Sequence, residues 1–433
     1  MRINYLISTT LFLLFANTLI LFAQVKAVYF GELIDGQGKK IVSAVVIIDA
    51  DRIISVGEEK DISVPANAEK IDLKSYTAIP GLIDAHTHMT YYWDESPGTN
   101  PWWHRWQLGD IGPSVTVFLA QENARKTLGS GVTTVRDLGS SDNMDFAMRH
   151  LINRGAMQGP RMFVAGNGLH ISSKPYKIGA IPDPGQCDGI IEVQRVARQQ
   201  LASGADWIKM YGSTGSDQDV TGFQTFSFDE MKAAADVAHY AGKRIAIHSY
   251  GPDGARDAVK AGTNTIEHAI DIDDLTLTAM AKNGIIYVPT VEHNRYYIEH
   301  KDEYGYNDAI VNNLNEYIDK NFETLKRAIK ANVKIAMGSD AVFTGFGDNT
   351  RELEWFVKAG MTPEQALRTA TTTGAEMLGM EKELGAIAPG YYADIVAVQG
   401  DPIKDINVII NNVKWVMKGG EVVVDKTKET ISK

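Results

Sequence analysis

Cysteine is almost absent from this sequence of 433 residues, since Cys187 is the only one. A single cysteine cannot form a disulfide within the chain, and it cannot supply the four thiolates of a structural zinc site. Cys187 lies in a polar segment without a positioned partner, which argues against a thiolate nucleophile. Any metal site in this chain therefore uses nitrogen and oxygen ligands.

Positive charge is also scarce. The chain has 43 lysines and arginines against 54 aspartates and glutamates, which gives a net charge of −11. Proteins that bind the nucleic-acid backbone need clustered cations, so we expect no nucleic-acid partner. No glycine-flanked serine elbow and no phosphate-binding loop is present either, and a metal-activated water is the nucleophile that this sequence indicates.

One long apolar run lies near the N-terminus. Arg2 precedes an uncharged stretch over residues 4–25, and small residues follow its apolar part. This pattern is typical of a secretory signal peptide, here residues 1–23 with cleavage between 23 and 27. A membrane anchor is the alternative, although polar residues dilute the run. We expect a secreted protein, periplasmic in a bacterium with two membranes, with no membrane span after cleavage.

The rest of the chain divides into two patterns. Short alternating runs over residues 28–79 predict a small antiparallel sheet, and together with similar runs over 383–426 they predict a β-sandwich domain built from both chain ends. Between them, over residues 80–382, eight apolar runs are each followed by a polar loop and a helical period. Eight such pairs predict an α/β fold of the (β/α)8 TIM-barrel type. The eight runs are Ile79 to His88, Val132 to Leu138, Met162 to Gly168, Asp206 to Tyr211, Arg244 to Tyr250, Thr263 to Ala269, Ile285 to Val291 and Lys334 to Asp340.

Potential metal ligands fall at the ends of these runs. His86 and His88 end the first run, and their spacing of two directs both imidazoles to the same side. The same kind of position, the C-terminal end of a predicted strand, is taken by Lys209, His248, His268 and Asp340. Active sites of such barrels lie at this face, and imidazole with carboxylate ligands suits zinc. The pattern predicts a metal site built from five strands.

Several motifs carry a resemblance to a known family. They are Pro80-Gly81-Leu82-Ile83-Asp84-Ala85-His86-Thr87-His88, Lys209, His248, Ile266-Glu267-His268 and Gly338-Ser339-Asp340. Together they resemble the amidohydrolase superfamily, nearest its imidazolonepropionase-like and Xaa-Pro dipeptidase-like branch. The resemblance implies two divalent metal ions, zinc being the expected element. It further implies that His86, His88 and Asp340 hold one ion, that His248 and His268 hold the second, and that Lys209, carboxylated by CO2, bridges them.

A physical reason for a modified Lys209 exists apart from the resemblance. An ammonium group in a barrel mouth would be desolvated, which depresses its pKa and leaves a neutral amine able to form a carbamate. The alternative is an unmodified Lys209 paired with Asp340 in a site for one metal. With two metals, Asp340 would act first as general base and then as general acid toward the leaving nitrogen.

Four residues are candidates for substrate contacts. Tyr250 is expected to face the mouth and resembles a carbonyl-polarising tyrosine, with a packed tyrosine as the alternative. His170 resembles the family's substrate-binding histidine, although its neighbours lack the usual glycines. His293 and Arg295 follow the seventh run and could bind a carboxylate, or they lie in a solvated loop.

Two further features lie outside this set. Arg136 and Asp137 end the second run, and we interpret them as a structural pair. Residues 91–113 carry four tryptophans in a proline- and glycine-rich segment. This segment is expected to be a lid over the barrel mouth, or else a self-packed loop or a dimer contact.

The sequence thus predicts a secreted metal-dependent amidohydrolase for a small substrate, such as a dipeptide or an N-acyl amino acid. One alternative is a hydrolase of cyclic amides, resembling imidazolonepropionase, with a single metal. A non-catalytic ligand-binding barrel is a third hypothesis, which the complete ligand set disfavours. Barrels of this family often pair, so a homo-oligomer is an expectation as well.

Overall fold

A computed structural model describes residues 25–96, 99, 112–172 and 184–428. The predicted signal peptide and three of the four tryptophans of residues 91–113 lie outside these ranges. The strands are β1 (Lys26–Ile34), β2 (Lys40–Asp49), β3 (Arg52–Glu58), β4 (Glu69–Pro80), β5 (Leu82–Thr87), β6 (Val132–Asp137), β7 (Arg161–Val164), β8 (Trp207–Tyr211), β9 (Arg244–Ser249), β10 (Thr265–His268), β11 (Ile286–Val288), β12 (Ile395–Val398), β13 (Val413–Lys418) and β14 (Glu421–Asp425).

Helices alternate with the strands from β6 to β11. Two of them begin at local sequence signals, because Ser227 with Glu230 and Thr362 with Gln365 form reciprocal capping boxes. The helices are α1 (Pro113–Gly129), α2 (Met144–Asn153), α3 (Gly189–Ala202), α4 (Phe228–Tyr240), α5 (Pro252–Ala261), α6 (Asp274–Asn283), α7 (Val291–Glu299), α8 (Lys301–Tyr304), α9 (Asp308–Lys330), α10 (Glu352–Lys358), α11 (Pro363–Thr369), α12 (Thr372–Leu378) and α13 (Asn407–Asn411), with 3-10 turns at Ser141–Asn143, Phe343–Gly345 and Asn349–Arg351.

The strands of residues 26–80 and 395–425 form one seven-stranded sheet, whose order is β14-β13-β12-β4-β1-β2-β3. The expectation of a purely antiparallel sheet is wrong, because β1 and β4 run parallel. Apolar side chains such as Phe30, Val46 and Trp415 pack together on one face. The division of this region into a two-layered sandwich stays a prediction.

The seven strands β5 to β11 are all parallel and lie in two sheets, β5-β6-β7 and β8-β9-β10-β11. Single parallel bridges connect these sheets to each other and to residues 334–341, namely Leu169 with Met210, Tyr287 with Ile335 and Thr87 with Ala341. Seven of the eight predicted strands are therefore present. The eighth run passes between β11 and β5 without forming a ladder.

The eighth run approaches β5 very closely, and a glycine makes this possible. A Cβ atom added at Gly338 would lie 2.4 Å from Val288 Cγ1 and 2.9 Å from His86 Cβ. The backbone amide of Asp340 donates to the carbonyl of His86 at 2.7 Å. This contact places Asp340 beside His86 and His88.

The parallel strands and their helices share a large apolar core. Nearly every residue of β5 to β11 is buried, as expected for parallel strands covered on both faces. Among the described residues, no helix combines the length and apolar character needed to cross a membrane.

Candidate metal centre and active site

A cavity of about 330 Å³ opens at the carboxyl ends of the parallel strands. All six predicted metal ligands line it, together with three of the four candidate substrate-binding residues: His86, His88, Lys209, His248, His268 and Asp340, with His170, Tyr250 and His293. The ends of β5, β8, β9 and β10 and the run before Asp340 supply the six ligands, because parallel strands present their carboxyl ends at one face.

His86, His88 and Asp340 form a compact group of buried donors within this cavity. Nε2 of His86 lies 3.4 Å from Asp340 Oδ1, and Nε2 of His88 lies 3.3 Å from the same oxygen. Asp340 Oδ1 is buried and accepts no hydrogen bond from the described residues. An oxygen left without a donor between two imidazole nitrogens fits a divalent metal, which would satisfy all three atoms.

Lys209, His248 and His268 lie close to this group. Nζ of Lys209 is 3.5 Å from His86 Nε2. The ring centres of His248 and His268 are 4.5 Å apart, and those of His86 and His268 are 5.1 Å apart. The structure thus brings together nitrogen and oxygen donors that span more than 250 residues of sequence.

Burial sets the protonation states of these groups. It lowers the pKa of Lys209 to about 8, against the attraction of Glu267 and Asp340. It also lowers the pKa of His86 to about 4 and that of His248 well below its ordinary value. Burial alone would raise the pKa of Asp340, but the neighbouring histidines outweigh it and hold that pKa well below its usual range. Neutral imidazoles and an ionised carboxylate are the forms that bind metals.

Each of three ligand histidines is held through its second ring nitrogen. Nδ1 of His86 lies 2.8 Å from Glu267 Oε2. The Nδ1 atom of His88 faces the carbonyl oxygen of Gly139 at 2.9 Å. His268 Nδ1 is 2.6 Å from the hydroxyl of Thr290. Such partners orient the rings so that Nε2 points toward the ligand position.

The backbone is strained at three positions of the site. His268, Thr290 and Asp340 have φ values of 71°, 50° and 51°. Residues other than glycine rarely adopt this left-handed region of backbone conformation. For a β-branched residue such as Thr290 the conformation is costly in free energy. Strain of this kind at converging donors is typical of a functional site.

Tyr250, His170 and His293 line the cavity, with distinct surroundings. The Tyr250 ring stacks between His248 and Tyr317, and its hydroxyl donates to Asn294 at a long 3.4 Å. Burial raises the pKa of Tyr250 well above 10, so the hydroxyl keeps its proton. The Nδ1 atom of His170 lies 3.1 Å from the carbonyl oxygen of Ile171. His293 Nε2 lies 3.2 Å from Asp340 Oδ2, which places this histidine against the proposed general base.

Arg295 does not reach the cavity, so the structure gives no support to its predicted contact with substrate. It belongs to helix α7, and its guanidinium pairs with Glu292 at 3.1 Å and with Glu299 at 3.4 Å. These partners lie three and four residues away, on the same helix face. The predicted solvated loop is absent as well, because the segment is helical.

The interpretation of Arg136 and Asp137 as a pair is wrong. Neighbouring residues of a strand face opposite sides. Arg136 turns inward and donates to Glu267 at 2.8 Å. Asp137 accepts from Thr87 and from the backbone of Met89.

Sequence reasoning missed Glu267 and Tyr297, whereas Tyr91 belongs to the segment 91–113 that the sequence predicts to lie over the barrel mouth. Glu267 stands within the Ile266-Glu267-His268 motif, and its position before a ligand histidine was the available signal. Tyr91 stacks on His88 with ring centres 4.7 Å apart, and Tyr297 packs edge-on against His293 at the same distance. Tyr297 lies on helix α7, where no strand-end pattern marks it.

Comparison with known proteins gives consistent matches. The model of the amidohydrolase family matches residues 77–423. Ochratoxinase from Aspergillus niger is 29% identical over 92% of this chain and 86% of its own length. Imidazolonepropionase from Streptomyces avermitilis is 22% identical over 82% of this chain and 80% of its own length.

Solved structures agree with these relatives. A crystal structure of a Xaa-Pro dipeptidase with methionine bound in the active site is 30% identical, with a TM-score of 0.82. The match covers 92% of this chain and 99% of that one. The family model spans most of the sequence, and the donors of that sequence converge in one cavity. The chain belongs to the amidohydrolase family, and it is a hydrolase that acts on carbon–nitrogen bonds.

Proposed function

We propose that the chain is a secreted, metal-dependent enzyme that hydrolyses the amide bond of a small substrate such as a dipeptide or an N-acyl amino acid. The observation that carries the proposal is the meeting of six donors, from the ends of four strands and from the run before Asp340, in one cavity of about 330 Å³. The similarity to a Xaa-Pro dipeptidase and to ochratoxinase supports an amide substrate.

The proposed centre has two divalent ions. His86, His88 and Asp340 would hold one, His248 and His268 the other, and a carboxylated Lys209 would lie between them. The lowered pKa of Lys209, about 8, supports the modification, because a neutral amine reacts with CO2. When bound, the ions supply a Lewis acid for the amide carbonyl and lower the pKa of a water toward ~7.

The side chains of the cavity then perform the proton transfers. Asp340 accepts a proton from the attacking water and delivers it to the leaving nitrogen. Its low pKa keeps it ionised and ready for the first step. Tyr250, which stays protonated, donates a hydrogen bond to the carbonyl oxygen as charge develops there.

The walls of the cavity favour a substrate with one polar and one aromatic end. Ser140, Ser141, Asn167 and His170 contribute polar groups to the lining, and Tyr91, Tyr297 and Val342 contribute an apolar cluster. Aromatic rings bind planar or apolar groups, whereas hydroxyl, amide and imidazole groups suit a carboxylate or a peptide carbonyl. A substrate with an aromatic side chain on one side of the scissile amide fits this arrangement.

A substrate panel tests the activity. Dipeptides, N-acyl amino acids, cyclic amides and lactones would be assayed with zinc-loaded protein, with and without a chelator. We expect chelator-sensitive cleavage of linear amides, fastest for aromatic side chains. If the zinc-loaded protein hydrolyses none of the linear amides, the proposal is contradicted.

A single-metal hydrolase of cyclic amides is the second candidate. It is favoured by the compactness of the group His86, His88 and Asp340, whose donor atoms lie within 4.8 Å of one another. The similarity to imidazolonepropionase supports it as well. Cleavage of cyclic amides by protein with one bound ion would select this candidate.

The proposal includes an architecture and a location. We take the two parallel sheets and residues 334–341 as one closed eight-stranded barrel over residues 80–382, with a sandwich of residues 28–79 and 383–426 beside it. Removal of residues 1–23 would accompany export. The mass of the exported chain tests this step, and an uncleaved N-terminus would contradict it.

A further inference from the structure

A row of buried polar groups lies directly beneath the metal ligands. Glu267 lies on β10, and its Oε2 atom is 2.8 Å from Nδ1 of His86. Its Oε1 atom accepts a hydrogen bond from Nη2 of Arg136 at 2.8 Å. The Thr265 hydroxyl also donates to Oε1. His86, Glu267 and Arg136 are each 0% exposed. Glu267 and Arg136 thus form a charged pair that is sealed from solvent and in direct contact with His86.

Glu267 differs in kind from the partners of His88 and His268. The Nδ1 atoms of His88 and His268 face neutral oxygens, the Gly139 carbonyl and the Thr290 hydroxyl. A carboxylate accepts a stronger hydrogen bond than a neutral oxygen does. It also makes the opposite ring nitrogen more basic, which strengthens that nitrogen as a metal ligand.

Arg136 connects strands of different sheets across the interior. From β6 it donates through Nε to the carbonyl of Ala85 on β5 at 2.6 Å, and through Nη1 to Thr265 on β10 at 3.0 Å. Its guanidinium also lies 4.4 Å from the centre of the Trp207 ring on β8. Since β5 carries His86 and β10 carries His268, Arg136 links the strands that carry the two groups of ligands.

We propose that Glu267 and Arg136 are positioning residues for the metal centre. Glu267 holds His86 with the proton on Nδ1, so that Nε2 presents its lone pair to the metal. Arg136 balances the charge of Glu267 and locks β5 against β10. This inference rests on the proposed function, since it concerns ligands of the same metal site.

Glu267→Gln is the direct test, because glutamine keeps the shape and an acceptor for His86 but loses the charge. We expect the dissociation constant for zinc, measured on metal-free protein by competition with a chelator, to rise about 10- to 100-fold. The thermal midpoint of the metal-free variant reports folding separately.

Asp394→Asn is the matched control. Asp394 is also buried and pairs with Arg161 at 2.6 Å, but it does not line the cavity. This variant should lower the thermal midpoint while its zinc affinity stays within twofold of the wild type. Loss of zinc affinity in the control as large as in Glu267→Gln would show a merely structural effect and overturn the inference.

A double variant, Glu267→Leu with Arg136→Met, covers the case in which the single variant does not fold. Replacing a buried ion pair by apolar residues of similar volume often preserves stability. We expect this variant to fold and to bind zinc at least as weakly as Glu267→Gln. A folded variant with wild-type zinc affinity overturns the inference. If wild-type protein itself binds no zinc, the proposed function fails, and that outcome is distinct from the failure of the positioning roles.

Discussion

The carboxyl ends of the parallel strands and the seven-stranded sheet bury opposite kinds of side chain. In the sheet the buried face is apolar, with Phe30, Val46 and Trp415 each at most 2% exposed. At the strand ends the buried groups include Lys209 and Asp340 beside four imidazoles. Burying an ionisable group costs free energy unless it is paired or bound to a metal. The strand ends therefore serve chemistry, and the sheet serves stability.

The largest effect is expected from a change at the strand ends. Asp340→Asn should lower kcat by at least roughly 1,000-fold, because the general base and a metal ligand are lost together. The fold should persist, since the backbone contacts of the run remain. Kinetics on a cleaved amide, with circular dichroism for folding, measure both.

The same exchange outside the cavity sharpens the comparison. Asp394→Asn removes charge from a buried carboxylate next to the sheet, where it accepts from Arg161 and the backbone of Gly419. Its kcat should stay near that of the wild type. If Asp340→Asn and Asp394→Asn lower kcat equally, the distinction between catalytic strand ends and a stabilising sheet is contradicted.

A substitution in the core of the sheet should lower stability and leave kcat nearly unchanged. Trp415→Ala removes a large buried ring that packs edge-on against Phe30, and it should lower the free energy of unfolding by roughly 3–5 kcal/mol. Urea unfolding measures the loss. The kcat of the folded fraction should change little, and a tenfold fall in it would argue against a purely structural sheet.

Glu352, the first residue of α10, is fully buried against the start of α7. Its carboxyl group predicts that the stability of the protein depends on pH. Burial raises its pKa from 4.5 to about 8, although it accepts backbone hydrogen bonds from Val291 and Glu292. Between these values the folded protein keeps the proton and the unfolded chain releases it, so stability falls as pH rises. Relative to Glu352→Gln, the wild type should lose roughly 3 kcal/mol between pH 5 and pH 8. Parallel stability profiles of the two proteins, from urea unfolding, would contradict this.

The smallest effect is expected for the hydroxyl of Tyr250. Tyr250→Phe should lower kcat by roughly 100-fold, since a single donor to the developing charge is lost. The thermal midpoint should hardly move, because the hydroxyl makes only a long contact with Asn294. A change in the thermal midpoint with unchanged kcat would support the packed tyrosine instead.

Much of the site could be read from the sequence because strand ends are local features. An apolar run, followed at once by His86 and His88 or by Lys209, marks its own position in a parallel sheet. The same rule brings His248, His268 and Asp340 to the cavity without knowledge of any contact. Capping boxes at Ser227 and Thr362 are local in the same way.

The errors concern pairings that local patterns do not encode. Arg136 pairs with Glu267, which lies 131 positions away in the sequence. Its sequence neighbour Asp137 faces the opposite side of the strand. Arg295 is held by partners on its own helix, which the sequence presented as a loop. The parallel pairing of β1 with β4 has no signature in the alternation of either strand. The eighth run is apolar like a strand, yet single bridges replace its ladder.

The metal content of the purified chain tests the central claim most directly. Protein prepared with zinc and freed of excess ions should contain two divalent ions per chain, and Lys209→Ala should reduce this number. A wild-type chain that folds, is offered zinc and retains no ion would contradict the account.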